Sequence, residues 1–257
     1  QVHRELPERN SWGRLRGEAV LEPDLPIVDS HHHLWDEEHR GRYLLDSLVE
    51  DISSGHNIVA TVYIEAGSMY RADAEPGMRP VGEVEFVNGV AAMCASGRYG
   101  ASRCCAAIVG FADLTLGDKV TPVLEALSAA GNGRLRGIRY SVPWDNGKAA
   151  AFYRRKIPRY QLLDPAFRAG YARLKALGLS FDAWLLYPQM PDLADLLRAF
   201  PDTQVILNHV GGPLGIPPHD GNRDAVFKIW RGHIRNLAQF QNLNVKLGGL
   251  GMMHCGW

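Results

Sequence analysis

The chain has 257 residues, 46% of them hydrophobic, with 28 Lys and Arg against 28 Asp and Glu. That balance excludes the basic excess of a nucleic-acid binder and the acidic bias of a solvating tail, and 22% charge scattered among apolar runs does not describe a disordered chain. The four cysteines form no C-x-x-C and no apolar run reaches eighteen residues, so a disulfide framework, a zinc–cysteine site and a membrane span are all unexpected, and a reducing, cytoplasmic setting fits.

The first residues, Gln-Val-His-Arg-Glu, lack a signal-peptide core and an initiator Met, which suggests a processed chain or a fragment. Residues 1–25 carry no clear period and read as an N-terminal arm, packed on the rest through Trp12 and Leu15. Residues 26–257 read as one domain. After Pro26, Ile27–Trp35 reads as a strand, followed by a helix over Tyr43–His56. Asn57–Gly67 is a β-branched strand ending at a glycine, and Met69–Pro80 a long loop. Gly82–Gly97 is helical, and Cys104–Leu114 is the third strand. Val120, Val123, Leu124 and Leu127 repeat at helical spacing before the strand Leu135–Val142. Phe167, Tyr171, Leu174 and Leu177 repeat likewise before Gly178, an expected C-cap. The strand Ser180–Tyr187 leads to a helix through Leu193, Leu196, Leu197 and Phe200. Next come the strand Gln204–Gly211, the loop Gly211–Arg223, a helix through Phe227, Trp230, Ile234 and Leu237, and the strand Asn244–Gly251.

Strands of continuous apolar character alternating with helices mean βαβ units and a parallel sheet. The fold class expected is α/β, a TIM (β/α)8 barrel. No G-x-G-x-x-G follows the first strand, against a dinucleotide-binding sheet. The elements number seven strands and six helices, so the barrel is expected to be truncated after strand 7, with strand 8 lacking.

The chemistry concentrates in Asp29-Ser-His31-His32-His33-Leu-Trp35. Alternate residues of a strand share a face, so His31 and His33 point together and His32 away. Two imidazoles so spaced can reach one divalent ion, and His209, ending Gln204–Gly211, is the natural third ligand. The bland readings are a His-rich surface loop and a satisfied core histidine. Glu65 ends the second strand and Arg139 lies in the fourth. Arg139 either grips a substrate carboxylate or pairs internally with Glu65. Trp144 is a candidate pocket wall or a packing residue. Tyr187, Gln189 and Asp113 follow strand ends as weaker candidates, and the face taken by Asp182 is undecided.

The string Leu25–Asp36 resembles the opening of the amidohydrolase-related family of metal-dependent TIM-barrel hydrolases. The likeness extends through Tyr63–Gly67, Gly137–Arg139, Val205–Pro213 and Val245–Gly248, and is nearest to lactonases acting on sugar lactones or 2-pyrone-4,6-dicarboxylate. The resemblance implies His31, His33 and His209 as metal or substrate ligands, with one ion, zinc above others, or none. It also implies an Asp from strand 8, which has no counterpart here. No histidine occurs in Phe181–Gln189, against a binuclear site. The function expected is metal-assisted hydrolysis of a carboxylated lactone. Glu65 and Tyr187 are its catalytic candidates, and Arg139 and Trp144 its substrate-binding ones. Decarboxylation of an aromatic acid and an inactive barrel remnant are the alternatives. The partner expected is a small-molecule substrate, without nucleic acid or membrane, and homodimers are common among such enzymes.

Overall fold

The computed structural model describes residues 19–147, 149 and 156–256. Most of the expected arm, with Trp12 and Leu15, lies outside them. Nine strands are present among the described residues: β1 (Ile27–His32), β2 (Trp35–Glu37), β3 (Gly41–Tyr43), β4 (Ile58–Ile64), β5 (Arg103–Gly110), β6 (Leu135–Arg139), β7 (Ser180–Ala183), β8 (Val205–Leu207) and β9 (Leu243–Val245). Six α-helices alternate with them: α1 (Leu45–Ile52), α2 (Val81–Ala95), α3 (Thr121–Ala130), α4 (Pro165–Tyr171), α5 (Met190–Ala199) and α6 (Arg223–Leu237).

Seven strands form one curled parallel sheet in the order β1-β4-β5-β6-β7-β8-β9. Each strand pairs with the next main strand, the winding that βαβ units produce when every crossover has the same hand. The architecture is the α/β barrel type expected, here a half-barrel of seven strands. Among the described residues β1 and β9 are its edges. Val28, 56% exposed on β1, is one consequence.

The helices follow from their sequences. Asp164 caps α4 by accepting the Phe167 N–H at 2.8 Å, and Pro165 occupies the first turn, where no N–H is needed. α5 begins with Pro191 and Asp192, ends near Arg198, and buries Leu193, Leu196 and Leu197. Phe167 and Tyr171 of α4 meet Phe181 of β7 edge-to-face at 6.0 and 5.1 Å. Each such buried ring contributes about 2 kcal/mol by leaving water.

The segments expected as long strands are shorter than their apolar runs. β7 ends at Ala183 and β8 at Leu207, and the residues after them turn over the mouth of the sheet. The antiparallel pair β2–β3 was not anticipated. It pairs Trp35 with Tyr43 and stands off the end of β1.

Candidate active site

β1 ends at His32, and its last turn of chain carries His31 and His33 to the sheet mouth. The His31 ring lies 5.0 Å from that of His33 and 4.5 Å from that of His209, centroid to centroid. The three rings meet as expected, His31 and His33 through the alternation of β1 and its continuation. His32 faces the other way, buried, with its Nε2 against the Thr61 hydroxyl at 2.9 Å.

His209 is not in a strand. It opens a single turn of 3-10 helix, His209–Gly211, with φ of 52° at His209 and 48° at Val210. Side chains rarely accept this left-handed backbone, which costs about 1 kcal/mol or more per residue. Three bonds hold it. Val210 N–H donates to Lys246 O at 3.0 Å, Gly212 N–H to His209 O at 3.0 Å, and Trp230 Nε1–H to Val210 O at 2.7 Å. Gly249, at φ 76°, lies against the ring: a Cβ there would fall 2.5 Å from His209 Cβ. Trp184 meets the ring edge-on at 5.0 Å.

Two ion pairs flank the histidines. Arg139 Nε donates to Glu65 Oε1 at 2.6 Å, and its Nη2 donates to the Glu65 carbonyl. The internal pair is thus the alternative realised for Arg139. Lys246 Nζ binds Asp182 Oδ2 at 2.9 Å, and Asn208 Nδ2 donates to the same oxygen at 2.9 Å. Asp182 therefore faces inward but is buried behind the lysine. Burial first, then the Arg139 charge, lowers His33 to about 3 and His209 to about 4 from an ordinary 6.5. Burial, followed by Arg139 and the neighbouring histidine and lysine, pushes His31 down strongly. All three rings are neutral at pH 7.

Behind them Glu83 on α2 is fully buried. Its Oε1 accepts from Tyr63 O–H, Ala66 N–H and Ser68 N–H at 2.8, 2.8 and 3.0 Å. These bonds fix the loop after β4 that carries Glu65. Burial and the Glu65 charge push Glu83 up to about 7.

The three imidazoles do not fit a metal as arranged. His33 Nδ1–H donates to Ile64 O at 2.8 Å, which leaves Nε2 a free lone pair, and the buried Nδ1 of His209 has no hydrogen-bond partner. Both would suit an ion. His31, however, has Arg139 Nη1 at 3.4 Å from Nε2 and Lys246 Nζ at 3.3 Å from Nδ1. A neutral imidazole has one lone pair, so it can accept from only one of the two cations. A divalent ion on His31 would sit against both charges. Among the described residues no three His, Cys, Asp or Glu side chains are grouped to hold an ion.

A cavity of about 720 Å³ opens above this floor. His33, Arg40, His209, Glu65, Arg139 and Ser141 form its polar part; Trp35, Tyr70, Phe111, Trp184 and Met252 supply walls. Two expected members are not on its lining. Tyr187, 5% exposed, meets His219 Nδ1 at 3.3 Å through its hydroxyl, and His219 Nε2 lies 3.1 Å from Asp145 Oδ1. Tyr187 was expected at the cavity because it follows the strand's end, but β7 stops four residues earlier and the chain turns between. Trp144 lies under the Arg159 guanidinium at 5.0 Å, with its N–H bound to Gln189 Oε1 at 2.8 Å. Gln189 brackets loops rather than facing the cavity, since its Nε2 also donates to Val142 O. Asp113 is occupied by Thr115, whose N–H and hydroxyl it accepts.

The amidohydrolase family model matches residues 28–257. The chain belongs to the amidohydrolase family. It is a hydrolase. The amidohydrolase is 30% identical over 256 residues to the uncharacterized protein y4mH of Sinorhizobium fredii, covering 91% of this chain and 76% of that one. An amidohydrolase of Burkholderia multivorans with bound zinc shares the fold at 24% identity and a TM-score of 0.60, over 87% of this chain and 69% of the other. A probable 2-pyrone-4,6-dicarboxylic acid hydrolase of Acinetobacter baumannii, with citric acid bound, shares it at 12% identity and a TM-score of 0.51, over 88% and 85%.

Several residues of the amidohydrolase site carried usable signals that sequence reasoning passed over. Lys246 interrupts an apolar segment, and Trp184 sits two residues from Asp182, hence on its side of the chain. Arg40, Tyr70 and Met252 sit in turns and loops, where no periodicity assigns a side-chain direction. Among the described residues no helix is long and apolar enough to cross a membrane.

Proposed function

We propose that this amidohydrolase opens a cyclic ester carrying a carboxylate, with Glu65 as the base. The observation that supports this reading best is Glu65 itself: a carboxylate on the cavity floor, with Oε1 held by Arg139 beside the neutral histidines. Water attacks the lactone carbonyl carbon, and Glu65 takes the water's proton. The tetrahedral oxyanion develops beside the charges of Arg139 and Lys246, which are already fixed and need no reorganisation. The C–O bond of the ring then breaks, and Glu65 returns the proton to the leaving oxygen. The free lone pair of His33 Nε2 accepts from the attacking water and orients it.

No step in this account passes through a metal, because an ion on His31 would sit against the charges of both Arg139 and Lys246. The zinc in the Burkholderia multivorans structure favours a second reading, in which His33 and His209 join His31 around an ion after those cations move away. The likeness to the Acinetobacter baumannii protein favours a carboxylated ring as substrate. Decarboxylation is the competing reaction class. A pH-stat assay with a panel of carboxylated lactones, run beside carbon dioxide detection on substituted benzoates, tests the choice. Acid release from lactones is the expected result; carbon dioxide release without lactone opening would overturn it. A homodimer and a cytoplasmic location complete the proposal.

A further inference from the structure

Every guanidinium nitrogen of Arg139 already has a partner on the floor, and the Glu65 carboxylate offsets its charge. Its Nε and Nη2 are bound to Glu65, and Nη1 faces His31. Lys246 is taken by Asp182 and His31. Both floor cations are thus offset by carboxylates of the protein, which favours a different cation for the substrate's carboxylate.

Among the described residues the other arginine on the cavity lining is Arg40. It sits at the tip of the β2–β3 hairpin, just before Gly41, whose φ of 74° makes the tight turn. The guanidinium lies over the Trp35 ring at 5.5 Å, and Nη1 donates to Ala66 O at 3.4 Å. Nε stands 3.6 Å from Glu37 Oε2. Its Nη2 has no partner among the described residues, and the side chain is 33% exposed. Trp35 is itself steadied by the Tyr43 ring across the hairpin at 6.0 Å. A planar cation is thus held by an aromatic face at the cavity wall with Nη2 unspent, a donor placed to bind a carboxylate.

We infer that Arg40 is the specificity-determining residue, reading the substrate's carboxylate while the ester group reaches the floor. This deepens, and rests on, the lactone reading for its substrate class. The hairpin and not the barrel strands therefore sets the preference for anionic substrates.

Binding and turnover test the two readings separately. Tetrahydrofuran-2-carboxylate and tetrahydrofuran-2-carboxamide cannot be hydrolysed at a lactone, and quenching of tryptophan fluorescence follows their binding. Wild type is expected to prefer the carboxylate about tenfold, Arg40→Gln to lose that preference, and Arg40→Lys to keep part of it. An equal preference in wild type and Arg40→Gln, or none in wild type, overturns the role of Arg40. The same pair of substituents on γ-butyrolactone is then assayed for ring opening by wild type. Absence of turnover there overturns lactone hydrolysis, while the binding arm still decides on Arg40.

Discussion

Replacing Glu65 by Gln separates the catalytic role of this carboxylate from its structural one. The side chains of Glu65 and Arg139 are 12% and 10% exposed, and Nε and Oε1 are 2.6 Å apart. At an effective dielectric of about 20 their attraction is about 6 kcal/mol, before the cost of desolvating both groups. Removing one partner of such a buried pair costs about 3–5 kcal/mol, because the other charge stays buried and uncompensated. Glutamine keeps an acceptor for Arg139 Nε, and the bond from Nη2 to the backbone carbonyl remains. The loss therefore falls at the lower end, about 3 kcal/mol. Urea denaturation measures it. Activity is expected to fall at least about a hundredfold, the lower range for a general base. In the double variant Glu65→Gln with Arg139→Met most of the stability returns, since no charge is left buried, and activity does not. Recovery of activity with stability, or full activity in Glu65→Gln, would refute the role of Glu65 as base.

Three further outcomes follow. Below pH 6.5 the unfolded chain protonates His33 and His209, whereas the folded state resists until about pH 3 and 4. Stability is therefore complete above about pH 6.5 and is lost as pH falls toward 4, by about 2 kcal/mol per histidine at pH 5. Urea midpoints at pH 7.5 and 5.0 check this, and His209→Asn should shrink the difference by that amount; an unchanged difference contradicts the assigned burial effect. Gly249→Ala forces a methyl against the His209 ring from a left-handed backbone, so a fall of tenfold or more in kcat/KM is expected from steady-state kinetics, with lowered stability. Tyr187→Phe removes only the bond to His219 outside the cavity, so kcat is expected within about twofold of wild type, with a loss of about 1 kcal/mol in thermal unfolding.

The sequence made the floor legible and left the walls obscure, for a physical reason. His31 and His33 sit at the end of a strand whose alternation dictates side-chain direction, and parallel winding brings the end of β8 near them, although a left-handed turn that no pattern signals sets the His209 ring. Glu65 and Arg139 were found the same way. Alternation stops dictating direction where the strand stops. Tyr187 and Trp144 lie in turns, and their directions depend on bonds to His219 and Gln189 that no local pattern encodes. Arg40 was missed because it lies in the hairpin turn, where no period assigns a direction, and Trp35 because β1 ends at His32 and a separate short strand begins at Trp35. The metal expectation came from residue type and spacing, which carry no information about the cations that Arg139 and Lys246 bring to His31.

The central claim is that Glu65 opens a carboxylated lactone on this floor without a metal. Wild type and Glu65→Gln, both stripped with a chelator and verified metal-free by elemental analysis, should be compared on one hydrolysed carboxylated lactone in a pH-stat. The account predicts an undiminished rate for stripped wild type and a rate at least a hundredfold lower for Glu65→Gln. Activity that disappears on stripping and returns with zinc, or equal rates in the two proteins, would contradict it.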